Sequence, residues 1–246
     1  MNETGQEKDY RVPSKKIWSL LAFLPFLLFG FTFPIAFGGQ PVKIEGRPIP
    51  VIAMQIPEFK PGAGKTFGKL EFVSGLVLAT KNGEMGAVSG IRLLDHGTKF
   101  ISVMDTGHWA TGTIERDKDG KLTGLSDYRI TSMMDPNGTG AHDKDNFDSE
   151  SLAIGEHHIY VGFERYDRIN AYPYPGFETA MPDNVQLPIL KKGDRLKSNG
   201  GMECILKTPD QGPLRGAILF VAEKSYNKEG NFIAGVQSGP MKGTFY

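Results

Sequence analysis

The 246-residue chain carries 28 basic and 28 acidic residues, and a formal charge of zero gives no electrostatic basis for a nucleic-acid partner or an anionic membrane surface. Its 39% apolar and 23% charged residues are the make-up of a folding chain, not a disordered one. The lone Cys204 excludes an intrachain disulfide framework; it follows Glu203 on a predicted inner strand with no basic neighbour to favour the thiolate, so it is expected to be a small buried hydrophobe.

At the N-terminus, Arg11, Lys15 and Lys16 precede an uncharged stretch from Ile17 to Phe37. Its length matches the about 20 residues that cross a bilayer. Pro25 and Pro34 interrupt it, and Ala36-Phe-Gly38 puts small residues where a signal peptidase reads them. Residues 1–38 therefore read as a hydrophobic helix serving either as a cleaved signal peptide or as a membrane anchor. Both readings export the rest of the chain to the periplasm or the extracellular space. Residues 39–66, with Arg47-Pro-Ile-Pro50 and Ile56-Pro-Glu-Phe-Lys-Pro61, form a Pro-rich linker or lead-in strand.

From residue 67 onward Gly and Pro are frequent and long helical periodicity is absent, which favours an all-β chain. Three short runs rich in β-branched or aromatic residues, Phe100–Met104, Ile159–Phe163 and Ile218–Ala222, each close on an acid: Asp105, Glu164 and Glu223. These acids are evenly spaced by 59 residues, the mark of a repeat architecture. A turn cluster precedes each run (Asp95–Thr98, Gly155–His157, Pro209–Pro213). Upstream of each turn a partner strand opens at Ser89, Glu150 and Glu203. Each repeat is thus an antiparallel hairpin with a less regular connection, and four strands per repeat would make a propeller blade. In such a hairpin, Glu150 is expected near Glu164 and Glu203 near Glu223, on strands about 5 Å apart. The first repeat offers only Asp105, because Ser89-Gly90 stands where the others carry Glu.

Residues 67–246 hold about three to four blades, whereas closed propellers have about 4 to 8. The domain therefore reads as an incomplete propeller. Three explanations fit: a truncated product, blades supplied by another chain, or a boundary near Gly243-Thr-Phe-Tyr246. With no capping helix or polar terminal repeat visible, truncation is the favoured one.

Val88-Ser-Gly-Ile-Arg92, Asp105-Thr-Gly-His-Trp109, Asp148-Ser-Glu-Ser-Leu-Ala153, Phe163-Glu-Arg165 with Arg168-Ile169, and Asn199-Gly-Gly-Met-Glu203 occur in that order. Together they resemble the phytase-like β-propeller family, labelled "esterase-like activity of phytase". The resemblance covers roughly residues 67–226. It implies a six-bladed exported propeller, of which this chain carries the N-terminal half, and hydrolysis of an ester or phosphoester.

If the acids face the channel mouth, Asp105, Asp148, Glu150, Glu164, Glu203 and Glu223 form a ring of oxygen ligands suited to a hard cation such as Ca²⁺. The metal set is then Asp105, Asp148, Glu150, Glu203 and Glu223. Alternatively one acid of each pair, among Glu150, Glu164 and Glu203, holds a proton and acts as a general acid. The plainer reading is that the acids pair with Arg92, Arg165, Arg168 and Lys224 and satisfy amides between blades. Arg165, Arg168 and Lys224 can equally hold a substrate phosphate. His108, beside Trp109, is a candidate general base and equally a structural histidine. Asp143–Asp148 fails the EF-hand pattern, no zinc spacing occurs, Ser89 and Ser126 lack a nucleophile elbow, and Lys60–Lys65 misses the phosphate-loop spacing. The alternatives to a hydrolase are a non-catalytic propeller that binds a small molecule or partner protein, and an inactive piece with no stable fold of its own.

Overall fold

The computed structural model describes residues 46–185 and 196–243. The chain divides into two compact units, Met1–Gly39 and Gln40–Tyr246, and every described residue belongs to the second. The N-terminal hydrophobic helix expected within residues 1–38 lies outside the described residues. Among those described, no helix is long and apolar enough to cross a membrane.

The chain is all-β. A lead-in segment forms β1 (Arg47–Pro48), β2 (Ile52–Ile56), β3 (Thr66–Phe67), β4 (Leu70–Glu71) and β5 (Gly75–Ala79). The first meander follows as β6 (Val88–Leu94), β7 (Lys99–Met104), β8 (His108–Arg116) and β9 (Leu122–Ser132). A one-turn helix, α1 (Lys144–Phe147), opens the second: β10 (Ser149–Ile154), β11 (His158–Phe163), β12 (Arg168–Pro173) and β13 (Asp183–Val185). The third is β14 (Met202–Lys207), β15 (Ile218–Tyr226) and β16 (Phe232–Val236). Each meander is antiparallel with neighbours in chain order, β1 adds to the β9 edge of the first, and β2 pairs with β5 in a separate ribbon. None of the sheets closes into a barrel.

Sequence patterning accounts for the stacking. The run Phe100–Met104 is buried throughout, as strands covered on both faces are. One face of the first meander packs Phe100, Met104, Tyr128 and Ile130 under Ile49 of the lead-in segment. The other face packs Ile101, Val103 and Trp109 against Leu152, Val161 and Tyr172 of the second. The second packs Ala153 and Ile169 against Met202, Ile205 and Phe220 of the third. Trp109 is 1% exposed and meets Tyr172 edge to face at 5.0 Å and Phe177 at 4.7 Å. Burying a large apolar side chain stabilises by about 1.5–3 kcal/mol, against about 0–1 kcal/mol for an exposed ion pair. The seams between meanders therefore hold the stack.

The first strand of each meander makes these seams: β10 packs against β6 and β7, and β14 against β10 and β11. Approach is close at Gly90, where a Cβ would stand 3.0 Å from Leu152 Cδ2 and 3.3 Å from its backbone nitrogen.

All three first strands carry a register shift at the same place, between Val88 and Gly90, Ser149 and Ser151, and Met202 and Cys204. The unpaired residues are Ser89, Glu150 and Glu203, and a bulge of this kind re-aims a side chain. The shift corrects the reading of Cys204. It is exposed, because beyond the bulge it lies on the face opposite the buried Ile205.

Candidate functional site

Beside each bulge, the amide that follows the last residue paired with the first strand bonds back across the hairpin. Asp105 N–H donates to the Ala87 carbonyl (3.0 Å), Glu164 N–H to Asp148 (2.8 Å), and Glu223 N–H to Gly201 (3.0 Å). This threefold backbone device fixes the three evenly spaced acids next to the three bulge residues, whatever side chains those positions carry.

Two carboxylate triads result. Asp148, Glu150 and Glu164 form one, and Glu164, Glu203 and Glu223 the other; within each, one ligand atom per residue lies within 4.8 Å of the rest. The pairs Glu150/Glu164 and Glu203/Glu223, expected from hairpin register, are therefore adjacent, and Glu164 joins them. Glu164 is 4% exposed, and its Oε1 accepts the N–H of Gly200 and, at 2.9 Å, of Gly201. Gly200 presents that amide with φ +113 and Lys224 Cβ 2.5 Å from where its own Cβ would be, which only glycine tolerates.

Asp148 is 2% exposed. Its Oδ2 accepts from Arg165 Nε at 2.6 Å. Its Oδ1 accepts no hydrogen bond, and Lys144 Nζ stands 3.4 Å away. Lys144 also pairs with Asp105, tying that acid to the cluster through a cation and not by direct approach. Arg165 reaches Asp145 as well, at 2.7 Å, and Lys224 pairs with Glu223 at 2.7 Å.

Burial, the Glu203 charge and the Asp148 charge push the Glu150 carboxyl up to about 7, with a Ser89 hydrogen bond holding it partly back. Burial and then the Glu223 and Glu164 charges raise Glu203. Burial is also the first cause of the rise at Asp167, whose Oδ1 accepts the Met202 N–H at 3.1 Å. The hydrogen bond to Asp148 keeps Arg165 above its usual value, and that to Glu223 does the same for Lys224.

Besides Asp105, two expected site residues stand apart from the triads. Arg168 donates to the carbonyls of Tyr166 (3.2 Å) and Asn146 and lies 4.0 Å over the Phe163 ring, with burial lowering its pKa. His108 Nδ1 engages the Thr106 carbonyl at 2.9 Å and its hydroxyl at 3.2 Å. Arg92 turns to the Ile91 carbonyl and not to an acid. Sequence reasoning missed Lys144 and Asp167. Lys144 is four residues before Asp148 on α1, a spacing that signals the pair; Asp167 reaches across to the next meander and leaves no local signal.

The donor set is all carboxylate oxygen, which suits a hard cation such as Ca²⁺, and the Asp148 oxygen without a hydrogen bond fits that use. A cleft of about 420 Å³ lined by Lys99, Arg129, Tyr174 and Glu178 contains none of these acids.

Comparison with curated proteins finds no match. Residues 83–233 match the family described as "Phytase-like: Esterase-like activity of phytase", a span that takes in the first two meanders, the third as far as Ile233 in β16, both triads and every bulge. The chain belongs to the phytase-like family.

Proposed function

We propose that this protein is an exported β-propeller hydrolase of esters or phosphoesters, with a divalent cation held by the acids at the mouth of its central channel. The observation that carries the reading is the pair of carboxylate triads sharing Glu164, within a family described by esterase-like activity. Three meanders stacked through their first strands support the propeller over a sandwich. Residues 67–246 are then the propeller portion, and residues 1–38, basic and then uncharged, the export signal or anchor.

Asp148, Glu150, Glu203 and Glu223 would hold the cation, with Glu164 oriented by the two glycine amides. A bound divalent cation polarises a carbonyl or phosphoryl oxygen. In the cation-free site Glu150 is half-buried and titrates near 7; a bound cation would hold it ionised, where it is suited to take a proton from water and not to donate one. Lys224 and Arg165 set the local charge.

Turnover of p-nitrophenyl phosphate and p-nitrophenyl acetate, with and without a chelator, tests the reading. Hydrolysis that needs the cation and collapses in the Glu150→Gln, Glu203→Gln double variant is the expected result; full activity in that variant overturns it. One observation favours a second reading. Arg165 and Lys224 are spent on neighbouring acids and Arg168 on carbonyls, so the chain can hold a cation without turning anything over. Clear hydrolysis by the purified protein rules that out.

A further inference from the structure

Away from the acids, the first two meanders enclose a cleft of about 420 Å³, within the about 300–1,000 Å³ of small-molecule sites. One wall is the far end of the first sheet, with Thr111 and Thr113 of β8 and Asp127 and Arg129 of β9; the other is the turn after β12, from Tyr174 to Glu178. Lys99, also in the lining, opens β7, and Asp105 follows the last residue of that strand. At about 3.3 Å per residue the cleft is therefore about 20 Å along the strand from Asp105. Both walls belong to meanders inside the matched span, and neither is a chain end.

The turn is anchored. Phe177 is buried and packs on Trp109, and the Tyr174 N–H donates to the His157 carbonyl at 2.8 Å. Tyr174 itself stays half-buried along the cleft. On the other wall a bulge interrupts the ladder: Thr111 pairs with Arg129 and Thr113 with Ser126, so two residues of β9 stand opposite Gly112. One of them, Asp127, has φ +49, a left-handed conformation that aspartate tolerates better than most residues. Bulges and left-handed non-glycine residues gather where a side chain is aimed at a ligand. Among the described residues, the Asp127 and Glu178 carboxylates and the Thr111 and Thr113 hydroxyls make no hydrogen bond or ion pair. Arg129 donates from Nη1 to the Gly46 carbonyl at 2.8 Å and pairs with no acid among them. Lys99 is taken up by Asp95 at 2.9 Å.

Charge selects the class of ligand. With Lys99 paired, the Arg129 guanidinium shares the cleft with two uncommitted carboxylates, so an anion would meet the acids and a cation would meet Arg129 and Lys99. A neutral polyol meets neither objection. Its hydroxyls donate to Asp127 or Glu178, accept from Arg129, and do either with Thr111, Thr113 and the Tyr174 phenol. The apolar face of a sugar ring packs on an aromatic ring, and Tyr174 offers an apolar body with a polar tip. We propose that this cleft binds a neutral saccharide, stacked on Tyr174 and hydrogen-bonded by Asp127 and Arg129. The site is separate from the carboxylate triads and does not rest on the hydrolase reading.

Maltose, cellobiose, lactose and N,N′-diacetylchitobiose are the probes, with L-phenylalanine and benzoate as charged controls. Each is titrated into full-length protein in a sugar-free mild detergent with chelator, and followed by calorimetry and saturation-transfer NMR. At least one disaccharide is expected to bind with a Kd of about 0.1–5 mM. That Kd is expected to be the same at about 0.05 and about 0.5 M salt, because a neutral ligand carries no charge to screen. Tyr174→Ala and Asp127→Asn are each expected to weaken binding about tenfold, and asparagine keeps the left-handed backbone at 127. Glu150→Gln, in the triads, is expected to bind as wild type does. Circular dichroism checks each variant, and should Tyr174→Ala unfold, Thr113→Val takes its place with an expected loss of about threefold. Failure of all four disaccharides to bind overturns the proposal. So does binding that the cleft variants leave unchanged, which would put the sugar elsewhere. Binding of phenylalanine or benzoate with no disaccharide bound also overturns it, because the cleft would then be a site for charged ligands.

Discussion

The first meander and the two that follow end in the same backbone and in different chemistry. All three have a bulge on the first strand and an amide bonded across to it. The first places Ser89 and Asp105 there, and Asp105 is neutralised by Lys144 from α1. The second and third place Glu150 with Glu164 and Glu203 with Glu223, and share one buried carboxylate. The backbone device thus fixes position alone, and charge is added where the fold can hold it. Glutamate reaches the next meander's amides, as Glu164 does, whereas the shorter Asp105 is met by a cation.

The largest way to break this comparison is at the equivalent acids. Glu164→Ala leaves the Gly200 and Gly201 amides without an acceptor in a buried place, and a stranded buried donor costs about 1–3 kcal/mol. Chemical denaturation is expected to show a loss of about 3–5 kcal/mol. Asp105→Ala removes a partly exposed pair with Lys144 and is expected to lose about 1 kcal/mol or less. Equal losses would show that the two acids play the same structural part.

Cation binding sharpens the same contrast. Glu164→Gln keeps an oxygen for the glycine amides but removes the charge both triads share. Calcium affinity by titration calorimetry at pH 8 is expected to fall about tenfold to hundredfold. Asp105→Asn, outside both triads, is expected to stay within about twofold. An unchanged affinity in Glu164→Gln would remove the triads as the binding place.

Much of this was legible in the chain. The even spacing of Asp105, Glu164 and Glu223 and the glutamates at 150 and 203 marked the hairpin ends, since strand alternation and turn chemistry are local. Cys204 was misread because a one-residue bulge reverses the inward and outward alternation beyond it, and nothing near Glu203 announces a bulge. Asp167 and the Gly200 amides were invisible for another reason. They meet Met202 and Glu164 across a seam, and seam contacts depend on how whole meanders stack. Arg168 looked like a phosphate ligand, yet it has Phe163 beneath it and carbonyls beside it, a use that its charge alone does not foretell.

Ser89→Glu makes the first meander resemble the others. It sets a like charge beside Glu150 in place of a hydroxyl that donates to the Ala87 carbonyl, so it is expected to destabilise by about 1–2 kcal/mol at pH 8 and by much less at pH 5, where the added proton relieves the repulsion. Thermal melts at the two pH values measure this. A pH-independent loss would point to steric crowding beside Gly90 and not to charge.

Of the changes within the triads, the smallest effect comes from Glu150 itself. Its carboxyl titrates near 7 in the fold against 4.5 ordinarily, so between those values the folded chain keeps a proton that the unfolded chain has released. Stability therefore falls as pH rises through that window and is flat above it. Glu150→Gln removes the titration and with it the slope. The side chain is half-buried, so solvent screening reduces the full linkage value, and the variant is expected to be more stable than wild type by about 1 kcal/mol at pH 8 and unchanged at pH 4. Denaturant titrations at pH 4, 6 and 8 in chelator decide it, because a cation would bind the ionised form and mask the slope. If wild type and variant run parallel across that range, Glu150 titrates as a solvated acid, and the second meander differs from the first in residue but not in electrostatics.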